Sequence, residues 1–474
     1  MQGQHHYHPE LFSQIDYENL IPKSHLLRRI DRVLDLSFLK ELTATLYASE
    51  KGRPSIDPEI FVRMVLLEYL YNMNSDRQLC EEIGYNLAYR WFCKLSLTDR
   101  VPDHSSITRI RDRLGEKTYE MIFNKVEDQC RSKGLVKLEQ VMMDGSVIRA
   151  NASIYSMKER EEEKLKDDDR DPPSGGEIYS KDGLSNNDFR QKNIEGKKIS
   201  NQTHVSCADP DATLTGKAFE AKSLAYKTHH AIDASSCVIV DCHVTTGAVN
   251  EVGVAMGRID FIEKSLNLKI GELIADRGYG SAENLIELEE KNIKTNIPLW
   301  SSSSGKKFFT EIADGFKVES INGPVICPEG HVMKFSSHDK LGRRSLFTLT
   351  RNICKMCPRA TTCLSEHELK TRGKRFALPH HHEIFSKVSA QQEEPEFKKK
   401  LWQRMWKMEG IFTEGKSFHG LRRARYSGRA KMQMQVYMIS TLQNLKRLAG
   451  AILNEIYRFI FIFENFHQNR LFTK

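Results

Sequence analysis

Leu273-Ile-Ala-Asp-Arg-Gly-Tyr-Gly280 is the most informative stretch of this 474-residue chain. Its first three residues are apolar and predict a short buried strand that ends at Asp276. The residues from Arg277 to Gly280 predict a turn, and Ser281 is a helix N-cap in front of a periodic segment over 282–291. A strand that passes through a turn into a helix is typical of a sheet with helices packed against it.

The segments around this stretch predict the same architecture. Val141-Met-Met143 is an apolar run that predicts another strand, and this strand leads directly to Asp144. The segments between the two acids, and the one after them, predict a hairpin over 228–232 and 238–244, a helix over 252–266, and a strand over 293–298. This order of elements predicts a mixed α+β fold, in which a mixed sheet has flanking helices.

Composition and periodicity divide the chain into four regions. They are an all-helical N-terminal domain over 1–135, the mixed sheet over 136–300, a cysteine-containing insertion over 301–390, and a helix with a basic C-terminal region over 391–474. Within the second region, the very polar residues 157–200 predict a loop.

Charge and hydropathy limit the classes of partner. The net charge is +8 and 28% of the residues are charged, which suits a polyanionic partner such as DNA. No run of about 18 apolar residues occurs, so we expect no transmembrane helix and no membrane partner. The first ten residues lack the basic and apolar parts of a signal peptide.

A third acid is predicted on the helix over 396–417. An apolar stripe follows the helical repeat along this segment, formed by Trp402, Met405, Met408 and Phe412. Glu409 falls on that stripe, so it is predicted to point into the protein and to need a metal ion or a basic partner there. Glu414 falls roughly opposite and is predicted to face solvent.

Three carboxylates on two strands and a helix have the chemistry of a magnesium site. Mg²⁺ prefers oxygen ligands and is usually bound by a few carboxylates together with water and phosphate. Two such ions about 4 Å apart activate a water or a 3′-hydroxyl and stabilise the leaving oxygen of a phosphoryl displacement. The other interpretation of Asp144 and Asp276 is structural, because an Asp in this position can accept hydrogen bonds from the turn that follows it.

Three segments resemble the catalytic motifs of bacterial insertion-sequence transposases of the DDE type. They are Val141–Ser146, Ala275–Ser281 and Met408–Lys416. The resemblance implies a ribonuclease-H-like catalytic core in which Asp144, Asp276 and Glu409 bind two Mg²⁺ or Mn²⁺ ions. The subgroup resembled has a Tyr and an Arg before its Glu and a Lys seven residues after it. Lys416 matches that pattern, whereas Arg404 lies five residues before Glu409 instead of four and Trp402 replaces the Tyr.

The helical domain resembles the N-terminal domain of the same family. The matching segments are Gly52-Arg-Pro54, Asp57-Pro58, Ser75-Asp-Arg77, Leu87-Ala-Tyr-Arg90 and Pro102-Asp-His-Ser105. The resemblance implies an enzyme that binds double-stranded DNA at the terminal inverted repeats of its element, cuts the ends and joins them to target DNA. It also implies a homodimer in the bacterial cytoplasm, associated with the nucleoid. The alternatives are a catalytically silent DNA-binding protein derived from a transposase, and a metal-dependent nuclease or phosphatase of the same fold.

Four of the ten cysteines lie close together in the sequence of the insertion. They are Cys327, Cys354, Cys357 and Cys363. A CxxC pair with two more thiols can close a tetrahedral structural zinc site, which makes a zinc-ribbon-like insertion the prediction here. The alternative is four unligated thiols.

The densest basic stretch, from Lys416 to Lys431, follows the predicted position of Glu409. Its residues predicted to contact the DNA backbone are Lys416, Arg422, Arg423, Arg425 and Arg429. Guanidinium groups suit phosphate recognition because they donate several hydrogen bonds in a fixed fork. The alternative is a solvated charged face.

Overall fold

The computed structural model describes residues 17–47, 55–160, 199–216, 222–299, 312, 314–318, 324–338 and 344–471, with side chains up to residue 452. Most of the predicted polar loop, residues 161–198, and the segment Gly52–Pro54 lie outside the described residues.

The N-terminal region is helical, as predicted. Its described helices are α1 (Tyr17–Leu20), α2 (Leu26–Asp31), α3 (Leu39–Thr43), α4 (Pro58–Leu70), α5 (Asp76–Tyr85), α6 (Leu87–Phe92) and α7 (His104–Ser132). Local sequence fixes where several of them begin. The Asp57 carboxylate accepts the Glu59 N–H in front of α4, and Ser75 accepts the Gln78 N–H at the start of α5. Gly115, at φ +65°, interrupts α7.

A mixed sheet forms the centre of the molecule. Its strands are β1 (Gln140–Arg149), β4 (Thr213–Thr215), β5 (Ser223–Asp233), β6 (Ile239–Thr246), β7 (Glu272–Ile274) and β8 (Lys294–Asn296). The order is β4-β5-β1-β7-β8, and β6 also pairs with β5. The pairs made by β5 are antiparallel, whereas β1, β7 and β8 run parallel. The short strands β2 (Met157–Glu159) and β3 (His204–Ser206) form a separate antiparallel pair.

Helices cover both faces of the sheet. They are α8 (Val252–Leu266), α9 (Ala282–Glu290), α14 (Pro395–Phe418) and α15 (Arg429–Leu471). Alternate residues of β1 enter different cores, as the two-residue repeat of a strand requires. Met142 and Ile148 pack with the N-terminal helices, α14 and α15, whereas Val141 and Met143 pack with α8 and α9. The predicted mixed sheet with flanking helices after a helical domain is therefore confirmed.

The insertion has a small core of its own. Its five-stranded antiparallel sheet consists of β9 (Lys317–Val318), β10 (Val325–Ile326), β11 (Val332–His338), β12 (Arg344–Thr348) and β13 (Arg375–Pro379). The helices that accompany it are α10 (Arg351–Lys355), α11 (Ala360–Cys363), α12 (Glu366–Thr371) and α13 (His382–Gln392). Phe316, Val325 and Phe376 pack together inside this unit. Within the described part of the chain, none of the helices combines the length and apolarity that crossing a bilayer requires.

Candidate functional site

The parallel pairing of β1 with β7 brings Asp144 and Asp276 together at the sheet edge, by which we mean the place where β7 ends while β1 continues through Asp144 to Arg149, beyond its predicted end. Met142 lies opposite Ile274 in the register of the two strands. Each acid lies two residues further along its own strand direction, so both follow the same end of the strand pair. Asp276 is close enough to Asp144 to raise the pKa of that carboxyl.

Asp144 is bound from two sides. Its Oδ1 accepts the Gly145 N–H at 2.8 Å, and the Arg404 guanidinium lies 2.8 Å from its Oδ2. Burial raises the pKa of Asp144 to about 6, Arg404 opposes the rise, and Asp276 and Glu251 add to it. Arg404 also donates from Nε to the Met143 carbonyl at 3.1 Å. The arginine that departs from the family spacing thus contacts the first acid directly.

Asp276 makes the turn contact expected of a strand-end Asp. Its Oδ1 accepts the Gly278 N–H at 2.8 Å and caps the short 3-10 turn Arg277–Tyr279. Asp276 therefore does accept a hydrogen bond from the turn that follows it, as the structural interpretation predicts. This hydrogen bond does not exclude metal binding, because a carboxylate oxygen has more than one lone pair and the second oxygen is not used by this turn.

The predicted orientation of α14 is wrong for Glu409, Trp402 and Met405, whereas Met408 and Phe412 are buried as predicted. Glu409 is exposed, and so are Trp402 and Met405, with 62% of Trp402 accessible. The buried face consists of Phe397, Arg404, Met408, Ile411, Phe412 and Gly415. Arg404 is on the buried face because its guanidinium pairs with Asp144 on β1.

Glu414 was predicted to face solvent, but it is the more buried of the two glutamates. It pairs with Lys446 at 2.5 Å and Arg447 at 3.1 Å on α15. Burial acts to raise the pKa of Glu414, but a hydrogen bond from His419 and the charges of Arg447 and Lys446 hold that pKa well below its usual range. Glu414 therefore joins α14 to α15.

Two cations connect α14 to β1. Arg404 reaches Asp144, and the Lys416 ammonium donates to the Ser146 hydroxyl at 2.6 Å. Glu409 lies between these two cations along the helix and, by the helical repeat, on nearly the same side as Lys416. Glu409 is thus on a helix that contacts the strand carrying Asp144, but its own side chain is exposed.

One acid close to the two Asp residues was missed from sequence. Glu251 precedes α8, and its carboxylate lies beside Gly145 and Gly278. It is 3.3 Å from the Lys227 ammonium. No local pattern distinguishes Glu251 from the other acids in front of helices, because its position depends on how the link from β6 to α8 folds back over β1.

The basic stretch divides into exposed and buried arginines. Arg422 and Arg423 are exposed, and their backbone lies against the end of β1, where the Ala424 N–H donates to the Arg149 carbonyl at 2.8 Å. Arg149 is exposed too and was missed from sequence. Arg429 is half-buried at the start of α15.

Arg425 does not belong to this exposed set, contrary to prediction. Its guanidinium pairs with the buried Glu68 carboxylate at 2.5 Å and lies over the Tyr69 ring. Arg425 was predicted to contact a DNA phosphate, but its charge is instead paired with the buried Glu68 on α4.

None of the four cysteines of the insertion forms a disulfide bond. Cys327 and Cys354 are buried in the small core, and each sulfur accepts a backbone N–H, from His331 at 3.3 Å and from Lys374 at 3.4 Å. Among the described residues, no three His, Cys, Asp or Glu side chains converge closely enough to bind a metal ion. The geometry thus gives no support to the zinc prediction.

The acids at the sheet edge nevertheless fit a divalent cation by their chemistry. All the donors there are carboxylate oxygens, the ligands that Mg²⁺ and Mn²⁺ prefer. A cation already contacts Asp144, since the Arg404 guanidinium occupies one side of it. The absence of side chains at Gly145 and Gly278 allows the Glu251 carboxylate to lie next to them, so a further carboxylate borders the same space as Asp276.

Two family models match this chain. One is described as Transposase domain (DUF772) and matches residues 15–113. The other is described as Transposase DDE domain and matches residues 326–449. The second match includes α14 and Glu409, and it also includes the basic stretch from Lys416 to Lys431.

More distant resemblances exist among solved structures, whereas no curated protein matches. A piggyBac transposase synaptic complex with hairpin DNA is 11% identical, with a TM-score of 0.32, over 88% of this chain and 71% of that chain. A Mos1 transposase paired-end complex with the left transposon end is 10% identical, with a TM-score of 0.16, over 55% of this chain and 64% of that chain. TM-scores this low add nothing to the two family matches.

Proposed function

We propose that this chain, which belongs to the DDE transposases, cuts and joins DNA with Asp144, Asp276 and Glu409 as the acids of its catalytic centre. The observation that carries the proposal is the parallel register of β1 and β7, which brings the two Asp residues together. The helix α14 then crosses β1 next to them, with Glu409 between its contacts to Asp144 and Ser146.

The acids would bind Mg²⁺ or Mn²⁺, two ions in all. Bound there, these ions would activate the attacking hydroxyl and stabilise the oxygen that leaves. Asp144 and Asp276 are already oriented by backbone N–H groups. Glu409 is exposed, so its side chain would have to turn toward Lys416 and the sheet edge to join them.

Arg404 would balance the charge of Asp144 while no metal ion is bound. Its guanidinium neutralises Asp144, which is buried beside two other acids. Arg404 also donates to the Met143 carbonyl, so it can stay in place while the Asp144 carboxylate turns one oxygen toward a ligand.

DNA would lie along the end of β1. Four basic residues lie along this part of the strand. Lys416 contacts Ser146, two residues after Asp144, and Arg149 at the end of β1 lies next to the backbone of Arg422 and Arg423. Such cations bind phosphates without reading sequence. Terminal inverted repeats, target DNA and a homodimeric active complex belong to this proposal through the family.

The test is an assay of cleavage and joining. The DNA next to the gene is searched for short inverted repeats, and a duplex that ends in them is incubated with the full chain and Mg²⁺ or Mn²⁺. We expect metal-dependent cuts at the repeat ends and joining of 3′-hydroxyls to a second DNA. Cutting without regard to ends, and without joining, would indicate a nuclease, whereas specific binding without cutting would indicate a silent DNA-binding protein.

Binding to DNA should depend on salt through Arg422 and Arg423. Each phosphate contact contributes about 0.9 to the slope of log affinity against log salt concentration. Arg422→Ala and Arg423→Ala should each reduce that slope by about 0.9, measured by fluorescence anisotropy on end-containing duplex. Lys291→Ala is the control, because Lys291 pairs with Asp260 on the surface of α8 and should leave the slope unchanged.

Metal binding should strengthen as the pH rises through about 6. Burial raises the pKa of Asp144 to about 6, and the carboxyl must lose its proton before it can bind a cation. Calorimetric titration with Mn²⁺ should therefore show weaker binding at about pH 5 than at about pH 7. Asp144→Asn should flatten this dependence, and an equally steep profile in that variant would assign the titration to another group.

A further inference from the structure

Glu251 occupies an unusual position for a residue in front of a helix. It is the N-cap of α8, but its side chain makes no capping hydrogen bond to that helix. The carboxylate extends toward the sheet edge, where it is largely covered, with 21% of the side chain accessible. Oε1 lies 3.3 Å from the Lys227 ammonium on β5.

Two glycines make room for this carboxylate. A Cβ atom on Gly145 would lie 2.9 Å from Glu251 Oε1. A Cβ atom on Gly278 would lie 2.7 Å from Glu251 Oε2 and 2.9 Å from Asp276 Oδ1, so these two carboxylates border the same small space. Gly145 directly follows Asp144, and Gly278 donates its N–H to Asp276. The space that a side chain would fill next to each Asp is thus occupied by Glu251.

The charges around this space are unbalanced. Arg404 contacts Asp144 and Lys227 contacts Glu251, whereas the Asp276 contact is an uncharged N–H. In the ion pairs of the described residues, these three partly buried carboxylates therefore meet two cations. Like charges this close repel one another unless a further positive charge lies between them.

We propose that Glu251 is a further carboxylate of the catalytic metal centre, and that its side chain turns together with those of Asp276 and Asp144 to bind a divalent cation, since the three do not converge on one position before the cation binds. This inference rests on the proposed function. Lys227 neutralises Glu251 until the cation binds. The simpler alternative is that Glu251 serves only to pair with Lys227 and attach α8 to β5.

Mn²⁺ binding to the full-length protein without DNA distinguishes the two roles. Free Mn²⁺ is measured by electron paramagnetic resonance, so the readout does not depend on activity. We expect Glu251→Gln to weaken Mn²⁺ binding at least about ten-fold, the scale on which the groups around a metal affect its affinity. Gly145→Ala should weaken it as well, because the added methyl displaces Glu251 while leaving every acid in the chain.

Lys227→Met provides the matched comparison. If Glu251 is a metal ligand, removing its competing cation leaves Mn²⁺ binding as tight as in the wild type or tighter. If Glu251 only pairs with Lys227, both Glu251→Gln and Lys227→Met lower the thermal midpoint and neither weakens Mn²⁺ binding, which would overturn the inference. Glu283→Gln, an exposed acid on α9, should leave Mn²⁺ binding unchanged.

Asp276→Asn separates this inference from the proposed function. Weaker binding in Asp276→Asn together with unchanged binding in Glu251→Gln would overturn the role of Glu251 alone. Unchanged binding in both variants would overturn the metal centre itself. Circular dichroism confirms that each variant is folded, and Gly145→Ala keeps the test decisive if Glu251→Gln does not fold.

Discussion

Asp144→Asn, Asp276→Asn and Glu409→Gln should each slow cleavage of end-containing DNA by on the order of a thousandfold, since losing a metal ligand removes several kcal/mol of stabilisation from the developing charge. Each substitution keeps the size of the side chain and removes its negative charge. The rate is measured under single-turnover conditions with Mg²⁺, and the affinity for the same duplex is measured separately. Affinity should change little, because the basic residues along the end of β1 remain.

Glu414→Gln is the decisive control for the third acid. Glu414 lies on the same helix as Glu409, but it pairs with Lys446 and Arg447 on α15. Glu414→Gln should therefore lower the thermal midpoint while cleavage by the folded protein stays near the wild-type rate. Wild-type cleavage by Glu409→Gln, with loss of cleavage in folded Glu414→Gln, would show that the third acid is Glu414.

Glu68→Ala should reduce the free energy of unfolding by about 3–5 kcal/mol, the usual cost of leaving a buried charge without its partner. Only 1% of Glu68 is exposed, and it lies 2.5 Å from Arg425 and 3.6 Å from Arg111. Burial raises the pKa of Glu68, and Arg425 and Arg111 oppose that rise. The measurement is denaturant unfolding followed by circular dichroism.

Two comparisons assign this loss to the ion pair. Arg425→Ala should also destabilise the fold, because it leaves Glu68 without its closest cation. The double variant should cost less than the sum of the two single losses, as is typical of partners in contact. Glu81→Ala, at an exposed position on α5, should change stability by less than about 0.5 kcal/mol. Additive losses would mean that the two residues act independently.

The same cluster couples the N-terminal domain to the segment that follows α14. Arg425 joins that segment to Glu68 on α4, and the nearby His419 ring lies 3.0 Å from the Tyr69 carbonyl oxygen. Arg111, on α7, pairs with Asp76 at 2.7 Å and lies over the Tyr426 ring. Residues of the predicted regions 1–135 and 391–474 thus share one buried network of ion pairs and ring contacts. We therefore expect these two regions to contribute to each other's stability.

Features that depend on a few consecutive residues could be predicted. Ser75 and Ser281 cap helices because the N–H groups that they accept are three residues away, and the hairpin of β5 and β6 follows from two apolar strands joined by a short polar turn. The strand, turn and helix around Asp276 have the same local origin. The family motifs at Asp144, Asp276 and Glu409 lie on these predictable elements.

Only the tertiary structure could decide which charges are buried. Helical periodicity places Trp402 and Glu409 inside because it counts apolar residues, but a guanidinium can be buried if an acid on another element receives it. Arg404 pairs with Asp144 and Arg425 pairs with Glu68, and the partners of each ion pair are 260 or more residues apart in the sequence. Glu251 lies near the two Asp residues for the same reason: it pairs with Lys227 on β5 and lies beside Gly145 on β1 and Gly278 in the turn after β7, and no spacing along the chain encodes that these elements meet.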